Sequence, residues 1–463
     1  MVILYYKNTF KLVRFCDMFS RNIEKLLIEW KKKKGRKPLV IRGARQVGKT
    51  AAVHQFGSTA FASYIYINLE LEDHAALFAR MQPVRELLQL IQIKFNKKIT
   101  SGSTLIFIDE VQNSDIAMNQ LRYFYEEMPD LHVIAAGSLL EVKIKSEGFT
   151  FPVGRVEYCY LHPVTFDEFL AALGEIQALN FITSVKPDTL IPEEIHSMMM
   201  KLFQTYLLVG GMPEVVARYA ETKSFLDVDP VYESIITGLR DDVSKYASAA
   251  KTKYIQHIIE HASKYVGLQI KYEKFGESNF RSREMSEAFD VLEKAMLISR
   301  VFASASTRMP LMSNLKKLPK ILHLDIGLVN YQIGMRSEIA RIQDINAVYH
   351  GQLGEQIVGQ TLLAMNTNRN ANLHYWYREQ KGATSEVDFL TVLNDRLVPV
   401  EVKSGKTGTL RSLHNFIDES QSNFAIRIYS GNMKTEKIST TNKKIFTLFS
   451  VPFYLLYRIH QLV

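Results

Sequence analysis

Cysteine is scarce in this sequence of 463 residues, which contains only Cys16 and Cys159. Neither residue lies in a spacing typical of metal ligands, so the sequence excludes a disulfide framework and is typical of a reducing cytoplasm. Apolar runs of transmembrane length are also lacking, and we therefore predict a cytoplasmic protein without a membrane partner. Internal repeats and low-complexity tracts are absent as well.

The composition indicates a folded chain of several domains. Hydrophobic residues make up 47 % of the sequence, which excludes a largely disordered polymer. A chain of this length predicts roughly two to four domains. The formal net charge of +9 at pH 7 favours a polyanionic partner. Because the positive excess is spread along the chain, the charge alone does not identify that partner.

Residues 1–20 are predicted to form an N-terminal extension. Their apolar residues are interrupted by Lys7, Lys11 and Arg14, a pattern unlike that of a signal peptide. Met18 precedes the segment SRNIEKLLIEW, which predicts the first amphipathic helix. We therefore predict that the residues before Met18 form a loosely attached extension, separable from the rest of the chain.

Strands and helices alternate after this first helix. Apolar segments predict strands at LVIRG, SYIYINLE, STLIFIDE, LHVIAAGS and RVEYCYL, with helices between them. This alternation is typical of an α/β fold with a parallel sheet covered on both faces. The predicted units are this α/β core at 21–165, a helical segment at 166–250, a winged-helix-like segment or small packing domain at 251–340, and a second α/β unit at 345–463. One helix of the core is predicted across AALFARMQPVRELLQLIQIKF, and the last unit is predicted to contain a helix over 351–365 and strands at LHYWY, EVDFLTVL, VPVEVK and FAIRIYS.

The segment GARQVGKT matches the pattern G-x-x-x-x-G-K-[ST] between a predicted strand and a predicted helix. Glycines let the backbone curl so that successive N–H groups point at phosphates, and the helix N-terminus adds partial positive charge. Lys49 would bridge the β- and γ-phosphates, and the Thr50 hydroxyl would bind Mg²⁺. The predicted cofactors are ATP and Mg²⁺. The predicted nucleotide-binding residues of this P-loop are Gly43, Ala44, Arg45, Gln46, Val47, Gly48, Lys49, Thr50 and Ala51.

Two acidic residues complete the predicted ATP site. The segment TLIFIDE places Asp109 and Glu110 at the carboxyl end of an apolar strand. Asp109 would hold the magnesium ion, and Glu110 would act as a general base on the attacking water, a role worth roughly 10²–10⁴ in rate. A scaffold that only binds nucleotide has no need of this second carboxylate.

Two further residues are candidates with a structural alternative. Ser138 ends the next predicted strand, where it would lie beside the γ-phosphate or would cap the following helix. Arg155, in FPVGRVEY, is a candidate to neutralise charge in the transition state, within the chain or toward a neighbouring molecule. The predicted catalytic residues are therefore Glu110, Lys49 and Arg155.

The motifs GARQVGKT, LIFIDEVQ, AAGS, FPVGRVEY and LVGGMPE occur in an order that resembles the AAA-type ATPases of bacteria and archaea with a C-terminal domain of uncharacterised function. The resemblance covers nearly the whole chain from about Met18. It implies that Gly210, Gly211 and Pro213 lie in a helical lid. It also implies that Pro213 packs near the adenine ring.

The C-terminal unit resembles nucleases of the PD-(D/E)xK group. Its candidate site residues are Glu355, Asp388, Glu401 and Lys403. Two strands of a hairpin would bring Asp388 and Glu401 together, and such clustered carboxylates require a neutralising cation such as Mg²⁺. Nearby basic residues would suit a phosphate backbone: Arg378, Lys381 and Lys406. The alternative is an ordinary ion pair on an exposed face of a sheet.

The sequence thus predicts an ATPase and leaves the task of the C-terminal unit open. The first hypothesis is a Mg²⁺-dependent ATPase whose nucleotide state moves the winged-helix-like and nuclease-like segments on DNA. The alternative is a slow ATP-dependent switch or scaffold that recruits a protein partner or another copy of itself, with an inactive nuclease-like unit. A third hypothesis makes the C-terminal unit an active nuclease.

Overall fold

The protein divides into two compact units, which are described separately below. The computed structural model describes residues 2–6, 9–13, 19–138, 154–245, 249–335, 351–367, 373–380, 383–403 and 410–462. Unit 1 comprises Met1–His162, Ala217–Lys223 and Thr367–Arg369, and unit 2 comprises Pro163–Val216, Ser224–Asn366 and Asn370–Val463.

Two short strands near the N-terminus pair with each other in an antiparallel hairpin, β1 (Val2–Tyr6) and β2 (Thr9–Val13). Within the described residues this pair forms a sheet of its own. The extension predicted over residues 1–20 therefore contains paired strands, and its separability stays a prediction. Met18 lies outside the described residues.

Five parallel strands form the centre of unit 1. Two of them are buried along their whole length, as central strands of a parallel sheet are when both faces are covered. The parallel sheet predicted from the sequence is confirmed at all five segments. The strands are β3 (Leu39–Arg42), β4 (Ser63–Asn68), β5 (Thr104–Asp109), β6 (His132–Gly137) and β7 (Glu157–Tyr160), in the order β4-β5-β6-β3-β7.

The helices of unit 1 follow the predicted alternation with one difference. The helix predicted across AALFARMQPVRELLQLIQIKF is interrupted, because Pro83 occupies the N-cap of a new helix and has no N–H to continue the preceding turn. Ser114 caps another helix by accepting a hydrogen bond from the Ala117 N–H. The helices are α1 (Ile23–Lys32), α2 (Lys49–Ala60), α3 (Glu72–Ala75), α4 (Val84–Phe95) and α5 (Asp115–Glu127).

A run of helices follows the last strand of that sheet, as the sequence predicts. Thr165 begins it with a capping box, in which the Glu168 carboxylate accepts from the Thr165 N–H at 2.9 Å. The helices are α6 (Phe166–Ala172), α7 (Ile176–Ser184), α8 (Glu193–Val209), α9 (Pro213–Thr222), α10 (Asp229–Lys245) and α11 (Ala249–His261).

The segment predicted as winged-helix-like contains a helix followed by two antiparallel strands. The sequence predicts one apolar stripe of Met285, Phe289, Leu292 and Met296; the first three are buried on the helix, and Met296 lies beyond the helix end and is partly buried. The two strands pair as a wing would, yet they also belong to a larger sheet, and the winged-helix assignment stays a prediction. The elements are α12 (Ser282–Lys294), β8 (Ile298–Ser304), β9 (Lys320–His323) and α13 (Ile326–Gln332).

An eight-stranded mixed sheet forms the centre of unit 2. The strands predicted at LHYWY, EVDFLTVL, VPVEVK and FAIRIYS are confirmed, as is the helix predicted over 351–365. The last two strands were not predicted. The elements are α14 (Gln352–Ala364), β10 (His374–Gln380), β11 (Ala383–Leu393), β12 (Arg396–Lys403), α15 (Arg411–Glu419), β13 (Phe424–Tyr429), β14 (Lys434–Ser439), β15 (Ile445–Pro452) and α16 (Ile459–Leu462), and the strand order is β14-β15-β13-β12-β11-β10-β8-β9.

Among the helices that the structure describes, none is both long and apolar enough to cross a lipid bilayer.

Candidate functional site

The P-loop lies between β3 and α2, as the sequence predicts. Gly43 has room for a hydrogen only, because a Cβ atom there would overlap the Leu161 carbonyl oxygen. Gly48 has a φ of 90° and Gln46 a φ of 62°, so the loop uses the left-handed region twice within three residues. This curled backbone is the conformation that directs successive N–H groups toward an anion. Of the remaining loop residues, Ala44 and Val47 are buried and Ala51 is exposed.

Lys49 is buried within its own loop. Its Nζ donates to the carbonyl oxygens of Gly43, at 3.0 Å, and Ala44, at 2.8 Å. Burial lowers the pKa of Lys49 to about 8, against the opposing attraction of Glu110 and Asp109. A phosphate anion beside this ammonium would favour its charged form, so the position suits a triphosphate.

Asp109 and Thr50 meet at the carboxyl end of β5. The Thr50 Oγ1 donates to Asp109 Oδ2 at 2.8 Å, and the Tyr66 hydroxyl donates to the same oxygen at 3.2 Å. Burial, and then the nearby Glu110, raise the pKa of Asp109 to about 6. A bound cation would remove that penalty and favour the carboxylate.

The donor set of Thr50 and Asp109 fits magnesium. Within the described part of the chain, no group of three His, Cys, Asp or Glu residues is placed to hold a metal ion. Magnesium does not require such a group, because it typically binds one or two protein oxygens, several waters and the phosphates of its nucleotide.

Glu110 directly follows β5 with a left-handed backbone, φ 52° and ψ 43°. This conformation is uncommon outside glycine and is frequent at functional sites. The Gln112 amide donates to the Glu110 carboxylate and orients it. The structure therefore places the predicted general base next to the predicted magnesium ligand, with its side chain held.

The other predicted ATP-site residues have mixed surroundings. Arg45 lies 3.9 Å from Glu70, at the edge of an ion pair. Ser138 is buried at the end of β6, and its hydroxyl has no hydrogen-bond partner among the described residues. The helix that it would cap lies outside those residues. Arg155 is exposed and pairs with Glu126 of α5 at 2.7 Å. This ion pair does not connect Arg155 to the P-loop.

Arg21 is a residue that the sequence reasoning missed. It precedes α1 and is buried, with one guanidinium nitrogen donating to the Val47 carbonyl at 3.0 Å and another to the His162 carbonyl at 2.8 Å. Arg21 thus ties the centre of the P-loop to the end of β7. Tyr66, on β4, was missed as well. In the strand SYIYIN it alternates with isoleucines, and this pattern gave only a weak signal for a functional residue.

The predicted lid glycines have a structural role within unit 2. Asp325, the N-cap of α13, accepts hydrogen bonds from the N–H groups of Gly211 at 2.6 Å and Gly327 at 2.9 Å. A Cβ on Gly210 would overlap both Asp325 and Gly327. Pro213 begins α9, and its predicted contact with adenine stays a prediction.

The C-terminal candidate residues come together in unit 2. Glu355 lies on α14, Asp388 on β11, and Glu401 with Lys403 on β12. The antiparallel register pairs Phe389 with Val400, so its continuation places Asp388 opposite Glu401. The Val402 N–H donates to Asp388 Oδ2 at 2.7 Å, and Lys403 pairs with Glu401 at 2.7 Å.

The surface alternative for this site is wrong, because Glu401 is only 4 % exposed. Glu401 lies on β12, which has β11 on one side and β13 on the other and whose central residues are buried. Burial, and then the charge of Asp388, raise the pKa of Glu355 and of Glu401 to about 8. Among the predicted phosphate contacts, Arg378 pairs with Glu419, and Lys381 and Lys406 lie outside the described residues.

Lys320, on β9, joins this cluster and was not predicted. Its Nζ lies 2.6 Å from Glu355, 2.5 Å from Glu386 and 3.8 Å from Asp388. An ammonium thus stands among the carboxylates where a nuclease of the predicted group would hold a divalent cation. As arranged, these residues do not fit a metal ion. The only sequence signal was one charged residue in the otherwise apolar strand KILH.

Comparison with known protein families identifies part of the chain. Residues 35–170 match the family model described as AAA domain. We use the name AAA domain for this matched segment. Its match, together with the parallel sheet, confirms the predicted fold class: an α/β chain with a P-loop AAA-type core and an additional C-terminal sheet domain. Residues 200–339 and 350–454 match two models described as Domain of unknown function, DUF8612 and DUF4143.

Solved structures similar to this chain include proteins from a bacterium, a nematode and an archaeon. The Holliday junction branch migration motor RuvB of Thermotoga maritima is 14 % identical and covers 64 % of this chain and 93 % of its own, with a TM-score of 0.29. PCH-2 of C. elegans is 12 % identical and covers 46 % and 66 %, with a TM-score of 0.27. The Aeropyrum pernix ORC1 protein in complex with DNA is 13 % identical and covers 69 % and 92 %, with a TM-score of 0.26. At these values the similarity is remote. Comparison with curated proteins gives no match.

Proposed function

We propose that this protein is a Mg²⁺-dependent ATPase whose AAA domain controls the C-terminal sheet domain. The observation that carries the proposal is the 2.8 Å hydrogen bond between Thr50 and Asp109. It brings a P-loop hydroxyl and a strand-end carboxylate to within hydrogen-bond distance, which supports their proposed role as a pair of magnesium ligands. A strand that merely ended in solvated acids would leave Asp109 in water, whereas Asp109 is 3 % exposed.

Each residue of the AAA-domain site has a distinct part in ATP hydrolysis. The curled P-loop backbone and Lys49 hold the phosphates and offset their charge. Thr50 and Asp109 hold magnesium, which would neutralise charge on the β- and γ-phosphates. Glu110 takes the proton of the attacking water, and Gln112 keeps its carboxylate in place. Ser138, Arg155 and Pro213 are proposed to contact the γ-phosphate, the transition state and the adenine, respectively.

Lys49→Ala tests nucleotide binding. Removing the buried ammonium leaves the phosphates without their main protein charge, so we expect ATP affinity in the presence of Mg²⁺ to fall by about a hundredfold or more. Isothermal titration calorimetry measures the affinity. Lys98→Ala is the matched control, because Lys98 is an exposed lysine of the same domain. Equal affinities of the two variants for ATP would contradict the proposed site.

DNA is the proposed partner of the C-terminal sheet domain. The proposal rests on the net charge of +9 and on a fold in which the PD-(D/E)xK candidate residues meet. If DNA binds, single-stranded, duplex or branched DNA should stimulate ATP turnover, and the effect should weaken steeply with salt. Turnover that ignores all three DNA forms at low salt would contradict a role on DNA.

The second candidate function is a slow switch or scaffold that recruits a protein partner or assembles with itself. One observation favours it: Lys320 pairs with the carboxylates that a nuclease would use for its metal. Incubation of DNA with Mn²⁺ separates this candidate from an active nuclease. Cleavage lost in both Asp388→Ala and Lys403→Ala would support the nuclease; cleavage equal to that of the wild type would indicate a contaminant.

A further inference from the structure

Lys320 is a buried lysine whose ammonium contacts carboxylates from two other elements. It comes from β9, within the segment 200–339 that matches one domain of unknown function, whereas its partners come from the segment 350–454 that matches the other. The Lys320 side chain is 5 % exposed. Its Nζ also lies 5.5 Å from the centre of the Tyr375 ring, which adds a cation–π contact.

The cluster contains more carboxyl groups than ammonium groups. Its carboxylates belong to Glu355, Glu386, Asp388 and Glu401, and its two ammonium groups to Lys320 and Lys403. Glu401 is buried and the other three carboxyl groups are partly exposed, and at such distances their mutual repulsion is relieved by a nearby cation or by protonation. Among the described residues, Lys403 forms an ion pair with Glu401 and is partly exposed, whereas Lys320 lies within 4 Å of the other three carboxyl groups.

One carboxylate oxygen in the cluster lacks a hydrogen-bond partner among the described residues. Glu401 Oε2 is buried and makes no hydrogen bond among the described residues, although Oε1 of the same carboxylate binds Lys403. An unpartnered buried carboxylate oxygen is costly unless a ligand satisfies it. This oxygen, together with the three partners of Lys320, supplies the all-oxygen environment that hard divalent cations prefer.

We propose that Lys320 takes the place of a divalent cation in the C-terminal sheet domain, and that the domain has a latent metal site which opens only when this ammonium is removed. The ammonium lies 2.5 and 2.6 Å from its two nearest carboxylate oxygens. Divalent cations lie about 2.0–2.6 Å from such ligands, so the two species occupy the same space and exclude each other. The inference goes beyond the ATPase and does not depend on it.

Mn²⁺ binding to the full chain tests the proposal. Asp109→Asn is introduced first so that the AAA domain contributes no metal site, and electron paramagnetic resonance then counts bound Mn²⁺ without nucleotide. We expect no bound Mn²⁺ in this background. After Lys320→Met we expect one bound ion per chain, because the affinity of the cluster for Mn²⁺ should rise about tenfold or more over the background. Adding Asp388→Asn should abolish the new site.

Lys403→Met is the matched control, since it removes a lysine of the same cluster and leaves Lys320 in place; it should create no site. Mn²⁺ binding in the Asp109→Asn background that disappears with Asp388→Asn would overturn the proposal, because Lys320 would then not exclude the metal. This comparison keeps Lys320 and therefore does not depend on whether a Lys320 variant folds. Should Lys320→Met fail to fold, Lys320→Gln replaces it. A folded Lys320 variant that gains no Mn²⁺ site would indicate that Lys320 forms only ordinary ion pairs in the wild type, and it would equally overturn the proposal.

Discussion

Glu110 combines an unusual backbone with a fixed side chain, and this combination makes it the most informative residue of the AAA domain. Its φ of 52° turns the chain immediately after Asp109, and the Gln112 amide holds its carboxylate. A residue that serves only to end a strand needs neither feature. We therefore expect its contribution to appear in the rate of hydrolysis and not in nucleotide affinity.

Glu110→Gln should slow ATP hydrolysis by about 10²–10⁴ while ATP affinity changes little, because an amide cannot accept the proton of water but keeps the shape of the side chain. Single-turnover hydrolysis gives the rate, and calorimetry gives the affinity. Glu127→Gln, an exposed carboxamide substitution in the same domain, is the control. Full turnover by the Glu110 variant would remove it from the role of general base.

The sequence was sufficient for residues that work through a local pattern. Gly43, Lys49 and Thr50 are recognisable because one loop contains them all, and Asp109 because it ends an apolar strand. Arg21 was not recognisable, because its partners Val47 and His162 lie 26 and 141 positions away. No periodicity or spacing reports a contact that only the folded chain creates.

The connection between α8 and α9 is the element whose sequence is most tightly constrained. Gly210 has a φ of 67° and a ψ of −165°, a region that only glycine adopts readily, and its Cα packs against the backbone of Gly327. The next residue, Gly211, donates its N–H to Asp325. Both glycines are therefore explained by packing within unit 2, whether or not the segment also serves a nucleotide.

Gly210→Ala should destabilise unit 2 by more than the ~1–3 kcal/mol of backbone strain, because the added methyl also overlaps Asp325 and Gly327. Gly174→Ala is the control: its φ is 76°, and nothing lies within 4 Å of the added carbon, so it reports the strain alone. Urea unfolding measures both variants. The prediction fails if the two substitutions cost the same free energy.

At the scale of elements, prediction from the sequence succeeded for the sheet of the AAA domain and failed for several strands of the second sheet. Each strand of the AAA-domain sheet was predicted. In contrast, β9 has only four residues and β14 alternates polar and partly buried positions at the sheet edge, so neither stood out. The interruption before α4 was visible as Pro83 and was overlooked beside the strong apolar pattern.

At the scale of the whole molecule, the sequence did not predict which segments of the chain share a sheet. A boundary was expected near residue 345, yet β8 and β9 precede it and complete the sheet of the C-terminal domain. β8 and β10 pair in parallel at Phe302 and His374, and no pattern in the sequence of either strand indicates this pairing. Because β9 also supplies Lys320, the chemistry of the carboxylate cluster depends on a segment that the sequence assigned to another domain.

The molecule as a whole contains several histidines that are buried in the neutral form. Burial lowers the pKa of His54, His132, His162 and His323 to about 4. Between about pH 4 and the ordinary value of 6.5, the unfolded chain binds protons at these positions and the folded chain does not. Their contribution to stability is therefore complete above pH 6.5 and is lost as the pH falls toward 4. Asp325, whose pKa burial raises to about 6, acts in the opposite direction below that pH.

His54→Gln isolates one of these histidines, because the comparison with the wild type cancels every other titrating group. His54 lies 2.9 Å from the Tyr64 hydroxyl, a contact that a glutamine amide is able to keep. Lowering the pH from 6.5 to 4 should cost the wild type up to ~3 kcal/mol more than the variant, since only the wild type takes up a proton at this position on unfolding. Urea unfolding at a series of pH values measures the difference. Parallel stability curves for the two proteins would mean that His54 takes up its proton over the same pH range in the folded and the unfolded state, and would contradict the lowered pKa.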